Sequence, residues 1–215
     1  MKYRIDSPFV TIGIKIANLL ILNFYWLLGC LPLVTIGTST IAAFTVTLKM
    51  AEDAEGPSMT RQFWSAYLKN LKHGIPLTLI GGIVLYSVWI DWQMFEKLDG
   101  NPIGFLLLAI AAAVLLLLHF LYVFPLEARY ENKLSVALVN SRKICIRFFL
   151  RTLSLVGILL IQVFLFTINA VMMYMGLFCA PILAIYTASR IAVPIFRKLE
   201  GNSMASDGFA ITGET

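Results

Sequence analysis

Of these 215 residues 59% are hydrophobic and only 13% are charged, far from the roughly one quarter charged of an ordinary soluble domain, so water is not the main solvent of this chain. The length accommodates a single bundle of about six short spans and leaves no room for a separate soluble catalytic domain. A formal charge of +5 raises nucleic acid as a partner, but the basic residues flank apolar runs without any recognition motif, and attraction to anionic lipid headgroups is the simpler reading.

Fourteen of the seventeen Lys and Arg residues fall in four clusters, separated by the uncharged runs Ile16 to Leu48, His73 to Ile90, Gly100 to Leu126 and Thr152 to Ser189. Each run is near or above the ~18 residues that suggest a bilayer span. The first holds 33 residues and is interrupted by Gly29 and Pro32, which predicts two spans, 12–30 and 31–48, joined by a tight turn. The alternative is a re-entrant segment over 31–48, which lowers the count of spans to five. Lys2 and Arg4 on one side, and Lys49, Arg61, Lys69 and Lys72 on the other, all belong in the cytoplasm by the positive-inside bias. Two crossings between them satisfy both clusters and one does not, so a full second span is favoured. Leu27-Leu28-Gly29-Cys30 imitates a lipoprotein cleavage site, yet a further apolar run follows where a polar mature protein would begin.

The third span is expected over 74–95, closing on Tyr86, Trp89 and Trp92 at a headgroup boundary, with Asp91, Glu96, Lys97, Asp99 and Gly100 marking an outer turn. Asn101-Pro102 opens a fourth span over 102–126, since proline at a first helical position leaves no needed donor unmet. Arg129, Lys133, Arg142, Lys143, Arg147 and Arg151 make the next loop the most basic. The last run, 38 residues, is divided at Tyr174-Met175-Gly176 into spans 152–173 and 177–196, and Arg197 and Lys198 close the bundle inside. The fold class is therefore all-α: a polytopic transmembrane bundle of about six spans with both termini cytoplasmic. Lys15 and Arg190 lie inside spans near the cytoplasmic ends, where long side chains snorkel.

Residues 58–73 place Phe63, Trp64, Tyr67, Leu68 and Leu71 on one helical face, and residues 128–149 place Leu134, Leu138, Ile144 and Phe148 among basic positions; both read as interfacial amphipathic helices. The tail 201–215 is small and polar, and disorder is expected. Cys30, Cys145 and Cys179 lack the spacing of a zinc site or redox pair and read as packing residues. Cys30-Leu31-Pro32 and Cys179-Ala180-Pro181 echo one another, an echo that chance similarity between apolar helices explains without a repeat.

Polar groups at membrane depth are expensive, so Asn18, Asn23, Thr38, His119, Gln162 and Asn169 are expected to face the bundle interior. Interhelical hydrogen bonds are the plain reading, and a polar substrate path through Asn23, Thr38, His119 and Gln162 the functional one. His119 has no His, Cys or acidic neighbour at helical spacing and reads as a packed histidine. Arg190 needs a partner, and Glu127 is the expected one, with Glu131 as alternative; the pair is either a helix lock or an anion site. No phosphate loop, metal-spaced cluster, serine elbow or intramembrane acid pair is present, so no catalytic residue, metal or cofactor is assigned and an enzyme is the less favoured class.

Asn23-Phe24-Tyr25-Trp26-Leu27-Leu28, Leu31-Pro32-Leu33-Val34-Thr35-Ile36-Gly37, Phe63-Trp64, Lys69-Asn70 and Tyr122-Val123-Phe124-Pro125-Leu126 resemble the YesL family of bacterial membrane proteins, over about residues 8 to 198. The resemblance implies a small polytopic protein of the bacterial plasma membrane, often encoded near carbohydrate ABC transporters and sensor kinases, and it assigns no functional residues. The functional expectation is an accessory component of a transport or sensing system, with an ABC permease or sensor kinase as membrane partner. A small solute transporter or channel is the alternative. Gly37, Thr38, Ser39 and Ala42 explain the first motif by close helix approach alone.

Overall fold

The computed structural model describes residues 8–54, 58–97, 103–130 and 133–203. They form the helices α1 (Pro8–Gly29), α2 (Ile36–Ala51), α3 (Met59–Lys69), α4 (Leu71–Lys97), α5 (Ile103–Arg129), α6 (Leu134–Arg147), α7 (Phe149–Thr167) and α8 (Ala170–Ser203), with no strand among the described residues. Six stretches are long and apolar enough to cross a membrane: α1, α2 with the turn before it, α4, α5, α7 and most of α8. The chain is an all-helical bundle of membrane character, as its composition implies.

Local chemistry sets the helix ends. After Gly29 the chain turns at Pro32 and enters a single 3-10 turn, Leu33–Thr35. The Thr35 hydroxyl donates to the carbonyls of Gly29 (2.8 Å) and Pro32 (2.7 Å), satisfying acceptors that the end of α1 leaves open. The other end of α2 closes with Asp53 N donating to Met50 O and Ala54 N to Lys49 O, the paired bonds of a Schellman ending. Asp53 takes the left-handed position there, with φ 54°. Ser58 caps α3 by accepting from Arg61 N at 3.4 Å.

The last two long helices divide earlier than the sequence suggests. Residues 174–176 lie within α8, and the break falls at Ile168 and Asn169. Asn169 Oδ1 accepts from Val171 N at 3.2 Å, capping the new helix, whereas Gly176 marks a close approach: a Cβ there would meet the Phe166 ring at 2.7 Å. α8 also runs past the expected end at 196, because Leu199 is buried and Glu200 is held by Arg129. Residues 201–203 of the expected disordered tail are helical. Residues 204–215, the Asp99-Gly100 turn, Asn101-Pro102, Lys2 and Arg4 lie outside the described residues. The two Cys-Pro echoes have different structures, a turn at Cys30 and the interior of α8 at Cys179.

The core gathers around α2, which packs against α1, α3, α4, α5 and α8. Ile41, Ala42 and Ala43 of α2 are fully buried, as are Leu22, Phe63, Ile195 and Phe196 from its neighbours. The two amphipathic helices pack against the bundle over much of their length. α3 runs back beside α1 and α2, with Tyr25 and Thr60 hydroxyls 3.0 Å apart and Tyr67 donating to Gly29 O at 3.4 Å. α6 folds against α5, burying Ala137, Asn140, Ser141 and Ile144, and Cys145 Sγ donates to Leu118 O at 3.1 Å. Burial pushes the Cys145 thiol up to about 11, in keeping with a packing residue.

The tightest crossing joins α2 to α4. Gly37 N donates to Thr78 Oγ1 at 2.8 Å, and a Cβ at Gly74 would come within 2.2–2.4 Å of Thr38. Only glycine lets these two backbones touch, and in lipid such contact replaces the hydrophobic effect as the source of helix association.

Candidate functional site

The charged side chains that meet inside the fold gather where the ends of α2, α5 and α8 converge with the start of α4. Arg129, the last residue of α5, is the hub. Its Nη1 donates to Glu52 Oε1 at 2.7 Å, beyond the end of α2, and its Nε and Nη2 donate to the two carboxylate oxygens of Glu200 on α8 at 2.9 and 3.2 Å. The Glu200 contact is the bidentate geometry that a planar guanidinium provides and an ammonium does not. The guanidinium also lies 5.7 Å from the centre of the Phe196 ring, and Arg197 Nε approaches Glu52 at 3.8 Å. Tyr130 donates its hydroxyl to Glu200 at 2.6 Å. Burial, and then that partnership, push the Tyr130 phenol well above its ordinary value.

Two residues along α5, Glu127 reaches the other way, and His73 Nδ1 in the first turns of α4 lies 2.6 Å from its Oε2. The carboxylate is almost completely enclosed while the imidazole is half-exposed. Glu127 Oε1 has no hydrogen-bond partner among the described residues. A cleft of about 290 Å³ adjoins the pair, walled by Thr45, Lys72, His73, Glu127, Arg129 and Tyr130 among others. A second, more open cleft of about 430 Å³ lies beside it, lined by Lys49, Arg61 and Lys69 with Ser58, Gln62 and Ser65.

The expected pairing of Arg190 with Glu127 gives way to two separate arrangements. Glu127 faces α4 and takes His73; Arg190 is exposed on α8, one residue after Ser189, whose hydroxyl lies 2.7 Å from that of Thr47. The charge of Arg190 is felt by Asp53, whose carboxyl is held below its ordinary value first by the hydrogen bond from Lys15 (2.8 Å), then by the Lys15 charge, with Arg190 a lesser cause. The ion pair between α5 and α8 exists, but Arg129 and Glu200 form it.

The polar residues expected to line an interior path are dispersed. Asn23 on α1 donates to Phe178 O, and Gln162 on α7 donates to Ala180 O at 3.0 Å. Both amides thus bond carbonyls of the α8 turn around Pro181, interhelical hydrogen bonds of the kind that join helices in lipid. Thr38 is fully buried against Gly74, its hydroxyl without a hydrogen-bond partner among the described residues. The His119 ring bonds its own helix at Leu115 O, 2.7 Å away, and Asn169 is an exposed cap. Among the described residues no three His, Cys, Asp or Glu side chains are grouped to hold a metal ion.

Sequence reasoning missed His73, Glu52 and Glu200. A signal existed: each lies at the end of an apolar run on the side assigned to Arg129 and Glu127, where complementary charge is to be expected.

Comparison with known proteins is narrow. Residues 19–92, from α1 into α4, match the family model described as "Protein of unknown function, DUF624". No curated protein and no solved structure matches. The matched stretch contains the α1–α2 turn and the Gly37–Gly74 crossing, so its similarity to that family falls on the most closely packed part of the bundle.

Proposed function

We propose that this chain is a multi-pass protein of the bacterial plasma membrane, with both termini cytoplasmic, that acts as an accessory component of a transport or sensing complex in the manner of the YesL-like proteins it resembles. The observation that supports this over a solute pathway is the fate of the interior polar groups. Asn23 and Gln162 tie α1 and α7 to the turn of α8 around Pro181, Thr38 is buried against Gly74, His119 bonds its own helix and Asn169 caps α8, whereas a path needs them on one continuous surface. The basic faces are a better candidate for binding. On α6 and at the start of α7, Arg142, Lys143, Arg147 and Arg151 are exposed beside Ile146, Phe149 and Leu150, a mixture suited to headgroups and to the acidic surface of a membrane partner.

Crosslinking of the native protein in its own membrane, followed by mass spectrometry, tests the reading. Recovery of ABC permease or sensor-kinase subunits is expected, with crosslinks concentrated on Lys143 and Lys133. A reproducible self-complex without such subunits counts against it.

A further inference from the structure

The two clefts beside α3 share Thr45, Ala66 and Lys69 as walls and so form two lobes of one groove. The groove opens where two apolar runs meet their first charges: the run through α2 ends at Lys49, and that of α4 begins after Lys72. It therefore lies at the level of the lipid headgroups. Lys49, Arg61 and Lys72 line it from three different helices, and none of them forms an ion pair among the described residues. Arg129 also lines it, but its guanidinium is taken by Glu52 and Glu200.

Three cations converging on a recess favour an anion there. The one carboxylate among the lining residues, Glu127, does not answer them, because it is almost completely enclosed and its Oε2 is held by His73. Its Oε1 makes a separate demand: it is a buried acceptor at the wall of the smaller lobe, with no hydrogen-bond partner among the described residues, and a buried acceptor calls for a donor. A ligand that carries both an anionic group and a hydroxyl-bearing arm meets the two demands together. Apolar surface adjoins the groove as well. Leu68, next to Lys69, is 66% exposed, and Leu79 and Ile83, seven and eleven residues after Lys72 on the same face of α4, are exposed too.

We infer that this groove binds the headgroup of an anionic phospholipid with a glycerol arm. The phosphodiester lies in the larger, more open lobe among Lys49, Arg61 and Lys69; the glycerol hydroxyls enter the smaller lobe beside Lys72 and donate to Glu127 Oε1; the acyl chains run along the Leu79 and Ile83 face of α4. Basic pockets between membrane helices recognise lipid headgroups in this way. A choline headgroup is uncharged overall and has no donor, and phosphatidic acid has no arm to reach the second lobe, so both satisfy the groove less well. The assignment depends neither on which side of the membrane the groove faces nor on the accessory role proposed above.

Native mass spectrometry decides, with the full chain released from detergent micelles that hold phosphatidylglycerol, phosphatidic acid and phosphatidylcholine in equal amounts. One phosphatidylglycerol per chain is expected to survive activation that strips the other two, with an apparent affinity about tenfold above that for phosphatidic acid, as a hydrogen bond to a charged group would give. Attraction by charge alone favours phosphatidic acid instead, and retention of phosphatidic acid or phosphatidylcholine equal to that of phosphatidylglycerol overturns the proposal. The triple variant Lys49→Gln, Arg61→Gln, Lys72→Gln is expected to lose the retained lipid. Lys97→Gln, Arg190→Gln, Lys198→Gln, which removes the same charge from exposed positions outside the groove, is expected to keep it, and equal loss in both variants overturns the site. An excess of inorganic phosphate should leave the lipid in place; its displacement would assign the groove to a soluble phosphate compound and overturn the headgroup assignment.

Discussion

α2 and α5 are opposites. α2 is the least apolar of the six span-like stretches, yet 67% of it is buried inside the bundle; α5 is the most apolar, and only 6% is buried. In water this order would be perverse, since burial follows hydrophobicity. In lipid the apolar face has no cause to hide, and helices associate where small residues allow backbone contact and hydroxyls find partners. α2 supplies both: Gly37, Ala42 and Ala43 admit neighbours, and Ser39 and Thr47 bond Trp26 O and the Ser189 hydroxyl at 2.8 and 2.7 Å. α5 offers Leu107, Leu108, Ile110 and Leu115 to the surroundings and, Ala109 aside, becomes core in its last turns, at Tyr122, Val123 and Leu126.

The sharpest way to break that contrast is to add one methyl group to each region. In Gly74→Ala the new Cβ would lie 2.2–2.4 Å from Thr38 backbone and side-chain atoms, whereas at Gly104, near the start of α5, a Cβ would meet nothing within 4 Å among the described residues. Neither Thr38 backbone atom can give way without shifting α2 and all that packs on it. Gly74→Ala is expected to cost about 3 kcal/mol or more and to collapse the detergent-stable fraction in a thermal size-exclusion assay. Gly104→Ala should stay within about 0.5 kcal/mol of the parent. Equal losses would show that α5 is as closely packed as α2.

The far end of α5 supplies the next effect. Arg129 is the point at which a lipid-facing helix becomes tied to α2 and α8, through Glu52 and Glu200. Arg129→Ala leaves two carboxylates facing one another without their shared cation, and about 2 kcal/mol of destabilisation is expected after discounting for partial exposure. Arg129→Lys should recover less than half, because an ammonium cannot span Glu52 while binding Glu200 bidentately. A double-mutant cycle with Glu200→Gln, read by thermal unfolding in detergent, checks the coupling; additivity would mean that the network contributes nothing at this junction.

How much of this the sequence discloses depends on which physical signal is sought. Membrane character and the six apolar stretches are legible because hydropathy and charge spacing respond directly to the bilayer. Register between helices is not, since every apolar helix has several faces acceptable to lipid. Arg190 was therefore recognisable as a charge needing a partner, while the error of assigning it Glu127, which takes His73 instead, came from not knowing which face of α5 meets α4. Asn23 and Gln162 were recognisable as interior amides, but their common target, the turn of α8 around Pro181, required knowledge of helix depth. Tyr174-Met175-Gly176 failed as a break for a related reason: glycine in a membrane helix marks close approach as often as it marks a turn, and here it admits Phe166.

The smallest effect belongs to the exposed end of α2. Asp53 occupies the left-handed position of the helix ending, φ 54°, and its carboxylate accepts from Lys15 Nζ at 2.8 Å, joining α1 to α2. The native carboxyl titrates below its ordinary value, so the unfolded chain binds a proton at higher pH than the folded one does. The stabilisation it carries is therefore fully present above the unfolded value and disappears as pH falls through the depressed native one. Asp53→Asn should remove that acid-dependent part while keeping a residue that tolerates the backbone; Asp53→Gly should remove it too, yet recover stability at low pH by relieving the left-handed strain. Thermal unfolding followed from neutral pH into the acid range is expected to give converging curves for the parent and Asp53→Asn, with Asp53→Gly above both at the acid end. Parallel curves would mean that the Lys15 bond makes no contribution, and that α2 is held in place by its buried surface alone.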